Sequence, residues 1–265
     1  WQNNLVKLFT YFKLKSRIYL FMRFIKVILF FCVLNSPVNA DNIYHLIKIP
    51  NLKIYELNTS NKLKYFYAAK PFRLGVKKNI KCLNSDKETL LSKYNIIHKN
   101  LSKYSYSFLK KINLKYIVLC ENLSISGINT AGIPDNVMKT LILDIKFDKN
   151  YFERVIHHEV FHIINDQYKE IFNSEEWNKI NEKSFKYTLC STCSNKTGLY
   201  IYKKTNGFLT EYSKSTASED MAEIFSHLIF NKEIVEKKIN NDPILKQKVL
   251  FIKKIIFKID SNFIF

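Results

Sequence analysis

The sequence has no internal repeat, and no low-complexity linker interrupts residues 81–265. That excludes a repeat array and leaves one large domain with a small N-terminal section. Acidic residues are few, 23 against 42 Lys and Arg, and none lies in residues 1–40. Without that stretch, which holds six basic residues, the net charge falls from +19 to +13. The basic excess is lysine spread along the chain among much Asn and Ile, not an arginine-rich stripe. Such a surface attracts anionic partners in general. With no nucleic-acid-binding motif beside it, nucleic acid is not an expected partner. Histidine is scarcer still, 6 in 265 residues.

The first residues do not read as mature protein. Trp1 to Phe21 has neither a methionine nor an acidic residue and is read as a non-native upstream extension. Met22 opens MRFIKVILFFCVLNSPVNA, with Arg23 and Lys26 before an apolar run and Val38-Asn39-Ala40 as a small-residue cleavage site. Residues 22–40 have the shape of a secretory signal peptide, too short for a comfortable membrane span. The expectation is a secreted or periplasmic protein, monomeric, with no stable transmembrane helix after cleavage.

Four cysteines follow the signal: Cys82, Cys120, Cys190 and Cys193. An even number in an exported chain suggests disulfides, and four cysteines allow three pairings. A local Cys190–Cys193 bridge with Cys82–Cys120 is one of them. A second zinc site on C-x-x-C is the alternative, weakened by the lack of a matching pair.

Residues 41–80 hold alternating stretches such as LKIYEL and KLKYFYAA, broken by Pro50 and Pro71, and read as a β-rich section. Ser85, with Glu88 three residues on, caps a predicted helix running to about Ile112. Leu114–Cys120 and Lys139–Ile145 read as strands joined by a glycine-bearing loop. The second of them leads into a helix N-capped by Asp148 and offers an edge for an extended substrate. The fold class is α+β: a small mixed sheet, a motif-bearing helix and a C-terminal helical part, with residues 81–265 as one catalytic-type domain.

That helix carries the chemistry. Read from His158, the run HHEVFH is H-E-x-x-H, and residues four apart share a helix face, so His158 and His162 converge. Two imidazoles at this spacing suit zinc, while Glu159 can act as general base toward a water acidified by the metal. With so few histidines, a chance match has odds of roughly one in two hundred. His157 lies about 100° round the helix and is read as supporting or structural. A catalytic zinc needs a third protein ligand. The helix from Ser218 offers Glu219 and Glu223 on one face, with His227 a turn further as a lesser alternative. One carboxylate can bind metal while the other orients a ligand histidine.

HEVFH followed by EYSKSTASEDMAE resembles the gluzincin zinc metallopeptidases, in particular the catalytic domain of anthrax lethal factor and related bacterial zinc-binding peptidases. The resemblance covers about residues 115–265, including a short Trp-containing helix around Trp177. It implies a zincin-like fold with one catalytic Zn2+ on His158, His162 and Glu219. It also implies Glu223 behind a ligand histidine, Glu159 as base and Tyr212, seven residues before Glu219, as a transition-state donor. The cysteine-bearing loop and Met221 depart from the pattern without touching a ligand. The expected function is an exported zinc endopeptidase acting on a peptide or protein substrate. A non-catalytic zinc protein and a basic polyanion-binding protein are the alternative classes. A degenerate zinc module would be expected to lose Glu159 or Tyr212, and both are present.

Overall fold

A computed structural model describes residues 52–265, Ser194 apart. The expected extension 1–21, the expected signal peptide 22–40 and the start of the β-rich section lie outside the described residues. The first elements are β1 (Leu52–Glu56), β2 (Lys64–Ala68), β3 (Phe72–Leu74), β4 (Ile80–Leu83), α1 (Lys87–Leu101) and α2 (Tyr106–Lys111). Next come β5 (Tyr116–Ile125), β6 (Ile128–Asn129), β7 (Gly132–Asp135), β8 (Thr140–Asp144) and α3 (Phe152–Gln167). The chain ends with α4 (Ser174–Ile180), α5 (Ala217–Phe230), α6 (Lys232–Ile239) and α7 (Pro243–Ile259).

β5 is the axis of the mixed sheet. Its first half runs parallel to β2 on one side and β8 on the other; its second half pairs antiparallel with β4 and β6. Among the described residues, β1 and β7 pair only with β2 and β8 respectively, as antiparallel edges. Side chains alternate along β5 as a strand requires. Ile117 and Leu119 join the main core under the helices, while Val118 and Cys120 join a smaller core on the opposite face. The Cys82–Cys120 disulfide crosses that smaller core, and Cys190–Cys193 closes a turn in the loop before α5. Of the three pairings that the sequence left open, the structure has this one.

Three expectations need correction. β8 is not an edge: all five of its residues are buried because β5 and β7 flank it and both faces are covered. β7 takes the edge, with Pro134 where a missing N–H is tolerated. The long helix expected from Ser85 to Ile112 is two helices. Asp86, not Ser85, caps the first, accepting from the amides of Glu88 and Thr89 at 3.1 and 3.0 Å. Ser102 bonds back to the His98 carbonyl, and Ser105 then caps α2 by accepting from Phe108 N, so local serine bonds interrupt the run. Asp148 holds a turn by accepting from Asn150 N, and α3 begins after Tyr151 with no side-chain cap.

α3 and α5 lie against each other and bury Val160, Phe161, Ile224 and Phe225. α7 covers the outer side of α5 and brings in a fully buried lysine. Lys248 Nζ donates to Asp220 Oδ2 at 2.7 Å and to the Gly207 carbonyl at 2.8 Å, and lies 3.7 Å from the Phe208 ring centroid. The same Asp220 oxygen accepts from Tyr187 OH and Trp177 Nε1 at 2.6 and 3.1 Å. No helix among the described residues is long and apolar enough to cross a membrane.

Replacing Lys248 with Ala would leave the Asp220 charge buried without its cation. Breaking such a pair costs about 3–5 kcal/mol, so Lys248→Ala should lower the denaturant midpoint steeply. An unchanged midpoint would mean that the pair contributes nothing to the packing of α7 on α5.

Candidate metal centre

The site forms where α3 and α5 cross. α3 presents Arg154, His158 and His162 at intervals of four, one above the other on a single face. α5 starts at Thr216, whose hydroxyl accepts from Glu219 N at 3.2 Å, and this cap sets Glu219 in the first turn. Glu219 Oε2 then stands 2.9 Å from His158 Nε2 and 3.2 Å from His162 Nε2, and the two ring nitrogens are 3.1 Å apart. These are the residues named from the sequence, and among the described residues they form a cluster able to hold a metal ion.

The chemistry of this donor set fits a cation. His158 Nδ1 is 2.9 Å from Glu223 Oε1, so in the neutral ring that nitrogen carries the hydrogen. Nε2 is then left with its lone pair facing the Glu219 carboxylate and another imidazole nitrogen. Three electron-rich atoms this close need a positive charge between them. Donors held by a tetrahedral zinc at about 2.0–2.1 Å stand roughly 3.3 Å apart, close to the spacing found here. Without a metal a proton takes that part. Burial alone would lower the His158 pKa, but the hydrogen bonds to Glu219 and Glu223 outweigh it and push it up to about 10.

Glu223 is tied on every side. Besides His158, Arg154 Nη1 donates to its Oε1, and Thr210 Oγ1 donates to Oε2 at 2.8 Å. Burial raises its pKa, yet Arg154 and His158 prevail and hold it down at about 2. Neither Arg154 nor Thr210 was singled out from the sequence. Arg154 lies four residues before His158, and that spacing alone was the available signal.

Glu159 and Tyr212 line a cleft of about 310 Å³ beside the donors, together with Arg154, Phe147 and Leu199. Burial raises the pKa of Glu159, opposed by the two histidines. Tyr212 sits in a 3₁₀ turn, Tyr212–Lys214, with its ring 5.8 Å from that of His158. Burial, then the charges of Glu219 and Glu159, push its hydroxyl well above the usual phenol range, so it stays protonated.

Two histidines prove to be structural. His157 is held by Tyr104 OH at 2.8 Å and Asn100 Oδ1 at 3.0 Å, and burial keeps it neutral with a pKa of about 3. His227, the alternative third ligand, hydrogen-bonds Asn231 Oδ1 at 2.8 Å and stands 4.0 Å from Glu223 Oε2, outside the donor cluster.

A family model described as "Putative zinc-binding metallo-peptidase" matches residues 57–258. The chain belongs to this family. The matched span runs from the end of β1 to the end of α7 and so takes in every residue of the donor cluster. A crystal structure titled as a "putative zinc-binding metallo-peptidase" from Bacteroides caccae ATCC 43185 is similar, with a TM-score of 0.49 and 21% identity. The alignment covers 74% of this chain and 79% of that one. No curated protein matches the chain.

Gly132, on the edge strand β7, faces Glu159. A Cβ there would stand 2.6 Å from Glu159 Cγ and 3.2 Å from the Ile142 carbonyl oxygen. Gly132→Ala should therefore displace the Glu159 carboxylate at an overpacking cost of about 1–3 kcal/mol. The expected result is retained metal content by mass spectrometry with a fall in peptidase activity. Full activity would mean that Glu159 does not need the position it occupies here.

Proposed function

We propose that this family member is an exported, zinc-dependent endopeptidase. His158, His162 and Glu219 would hold one zinc ion, with Glu159 as general base. The convergence of the three donors beside a cleft that also holds Glu159 and Tyr212 carries this reading. The resemblance of HEVFH and EYSKSTASEDMAE to the gluzincins, lethal factor among them, supports the same roles. The signal-like segment 22–40 and the two disulfides support an oxidising compartment.

Zinc bound there would supply Lewis-acid chemistry, polarising a scissile carbonyl and lowering the pKa of water to about 7. The chain's own residues do the rest. The Glu159 carboxylate takes the proton from the attacking water and passes it to the leaving amine. The Tyr212 hydroxyl, kept protonated by burial, donates to the oxyanion that develops on the carbonyl; one such donor is worth about 3–4 kcal/mol. Glu223 accepts from His158 Nδ1 and so fixes that ring with Nε2 toward the donor cluster. The side of β7 left unpaired among the described residues offers backbone groups to an extended peptide, which binds as an added strand.

Metal content and peptide-library cleavage, measured on the same preparations, test this. Wild type and Glu159→Gln should carry about one zinc each, and Glu219→Ala should lose it. Cleavage should disappear with a chelator and in Glu219→Ala, and fall by about 10²–10⁴-fold in Glu159→Gln. Tyr212→Phe should lower kcat by about 10²–10³-fold with zinc retained. A Glu219→Ala protein with full zinc, or a zinc-loaded wild type that cleaves nothing, would overturn the proposal.

A further inference from the structure

Five of the lysines, far apart in the sequence, come together in space where β2, β5 and β8 begin. A concave cavity of about 320 Å³ is lined by Lys62, Lys64, Lys110, Lys115 and Lys139 with Tyr106. No Asp or Glu lines it, and none of the five lysines makes an ion pair among the described residues.

Three of these lysines are set side by side by the backbone. Lys64 N donates to the Lys115 carbonyl at 3.0 Å, and Lys115 N donates to the Lys139 carbonyl at 2.9 Å. They stand at the starts of the parallel strands β2, β5 and β8, neighbouring strands being about 4.8 Å apart. Lys64 is in register with Tyr116 and Thr140, and Lys115 and Lys139 lie one residue before those positions. The three ammonium groups therefore share one wall of the cavity without being cross-strand partners, and like charges sharing a wall repel. Lys62 is held at the rim by its Nζ, 4.6 Å from the Tyr106 ring centroid. Lys62 and Lys139 have φ of 60° and 55°, and the neighbouring Asn113 has 62°. A left-handed backbone is unfavourable for lysine, and such strain gathers at binding sites. An anion seated among the five ammonium groups would relieve the repulsion and use the arrangement.

We propose that this cavity is a binding site for a compact, multiply charged phosphate group, separate from the metal centre and independent of the peptidase reading. Its concavity fits a small ligand, either a free phosphate ester or diphosphate, or the headgroup of an anionic lipid.

The test uses the full chain, inorganic pyrophosphate as the free probe, and phosphatidylcholine vesicles doped with phosphatidic acid as the lipid probe. Lys64→Gln/Lys115→Gln removes two cavity charges; Lys183→Gln/Lys186→Gln removes two exposed lysines elsewhere and keeps the net charge matched. One charged hydrogen bond is worth about a factor of ten in affinity, so the cavity variant should bind the effective probe at least about tenfold more weakly. The matched control should stay within about twofold, as a screened surface charge would. Calorimetric binding of pyrophosphate assigns a free ligand, and binding of vesicles alone assigns the lipid headgroup. The ligand-free melting temperature of the cavity variant should equal or exceed that of wild type, since a repulsion is relieved. Equal weakening in both double variants would make the binding diffuse electrostatics and overturn the site. So would the absence of binding by either probe, or a cavity variant that melts lower than wild type.

Discussion

Glu223 is the constraint on which the candidate metal centre depends. A carboxylate with no exposed surface is costly unless every lone pair is used. Here Arg154 and His158 from α3 and Thr210 from the loop before α5 use them. The two helices are therefore joined by a charged tie at the level where the donors converge, not by apolar packing alone. Because Glu223 fixes the hydrogen of His158 on Nδ1, it also decides which nitrogen is free. Removing that carboxylate would strand the Arg154 guanidinium and release the ring together, so orientation and stability are coupled at one residue.

A second buried network braces the other side of α5. Asp220 follows Glu219 but points away from the donors, toward Lys248, Tyr187 and Trp177. The first turn of α5 is thus gripped from both sides: Glu219 inward to the histidines, Asp220 outward to α4 and α7. This is why the loop bearing Tyr187 and the Cys190–Cys193 turn matters to the site without contributing a donor. Thr188 adds a further tie, its amide and hydroxyl both donating to the Ser215 carbonyl just before the Thr216 cap.

The part of this site legible in the sequence is the part written as short-range spacing. H-E-x-x-H places its side chains by helix geometry alone, and Glu219 with Glu223 repeat the same interval. The sheet was less legible. β7 reads as loop because GIPD is short and contains glycine and proline, and the TLILD run of β8 gave no sign of how many neighbours it has. The break between α1 and α2 was hidden because Ser102 and Ser105 are compatible with a helix surface and act only through local hydrogen bonds. Arg154 went unassigned because its partner lies 69 residues away. The basic cavity was invisible for a similar reason: Lys64, Lys115 and Lys139 are neighbours only after β2, β5 and β8 have aligned.

The interval of four that made α5 readable also left the third donor ambiguous, since Glu219, Glu223 and His227 share one face. Packing resolves them by depth. Glu219, in the first turn, keeps some exposure and meets both histidines. Glu223, one turn deeper, is fully enclosed and can serve only groups that come to it, which are a guanidinium, a hydroxyl and a ring nitrogen. His227, a further turn along, has passed the crossing point of the helices and turns to Asn231 at the helix end. Burial holds it neutral, with a pKa of about 4. With that imidazole neutral, Glu223 is held ionised by Arg154 and His158 with the Thr210 hydroxyl, so the tie between α3 and α5 does not depend on a group that titrates near neutrality.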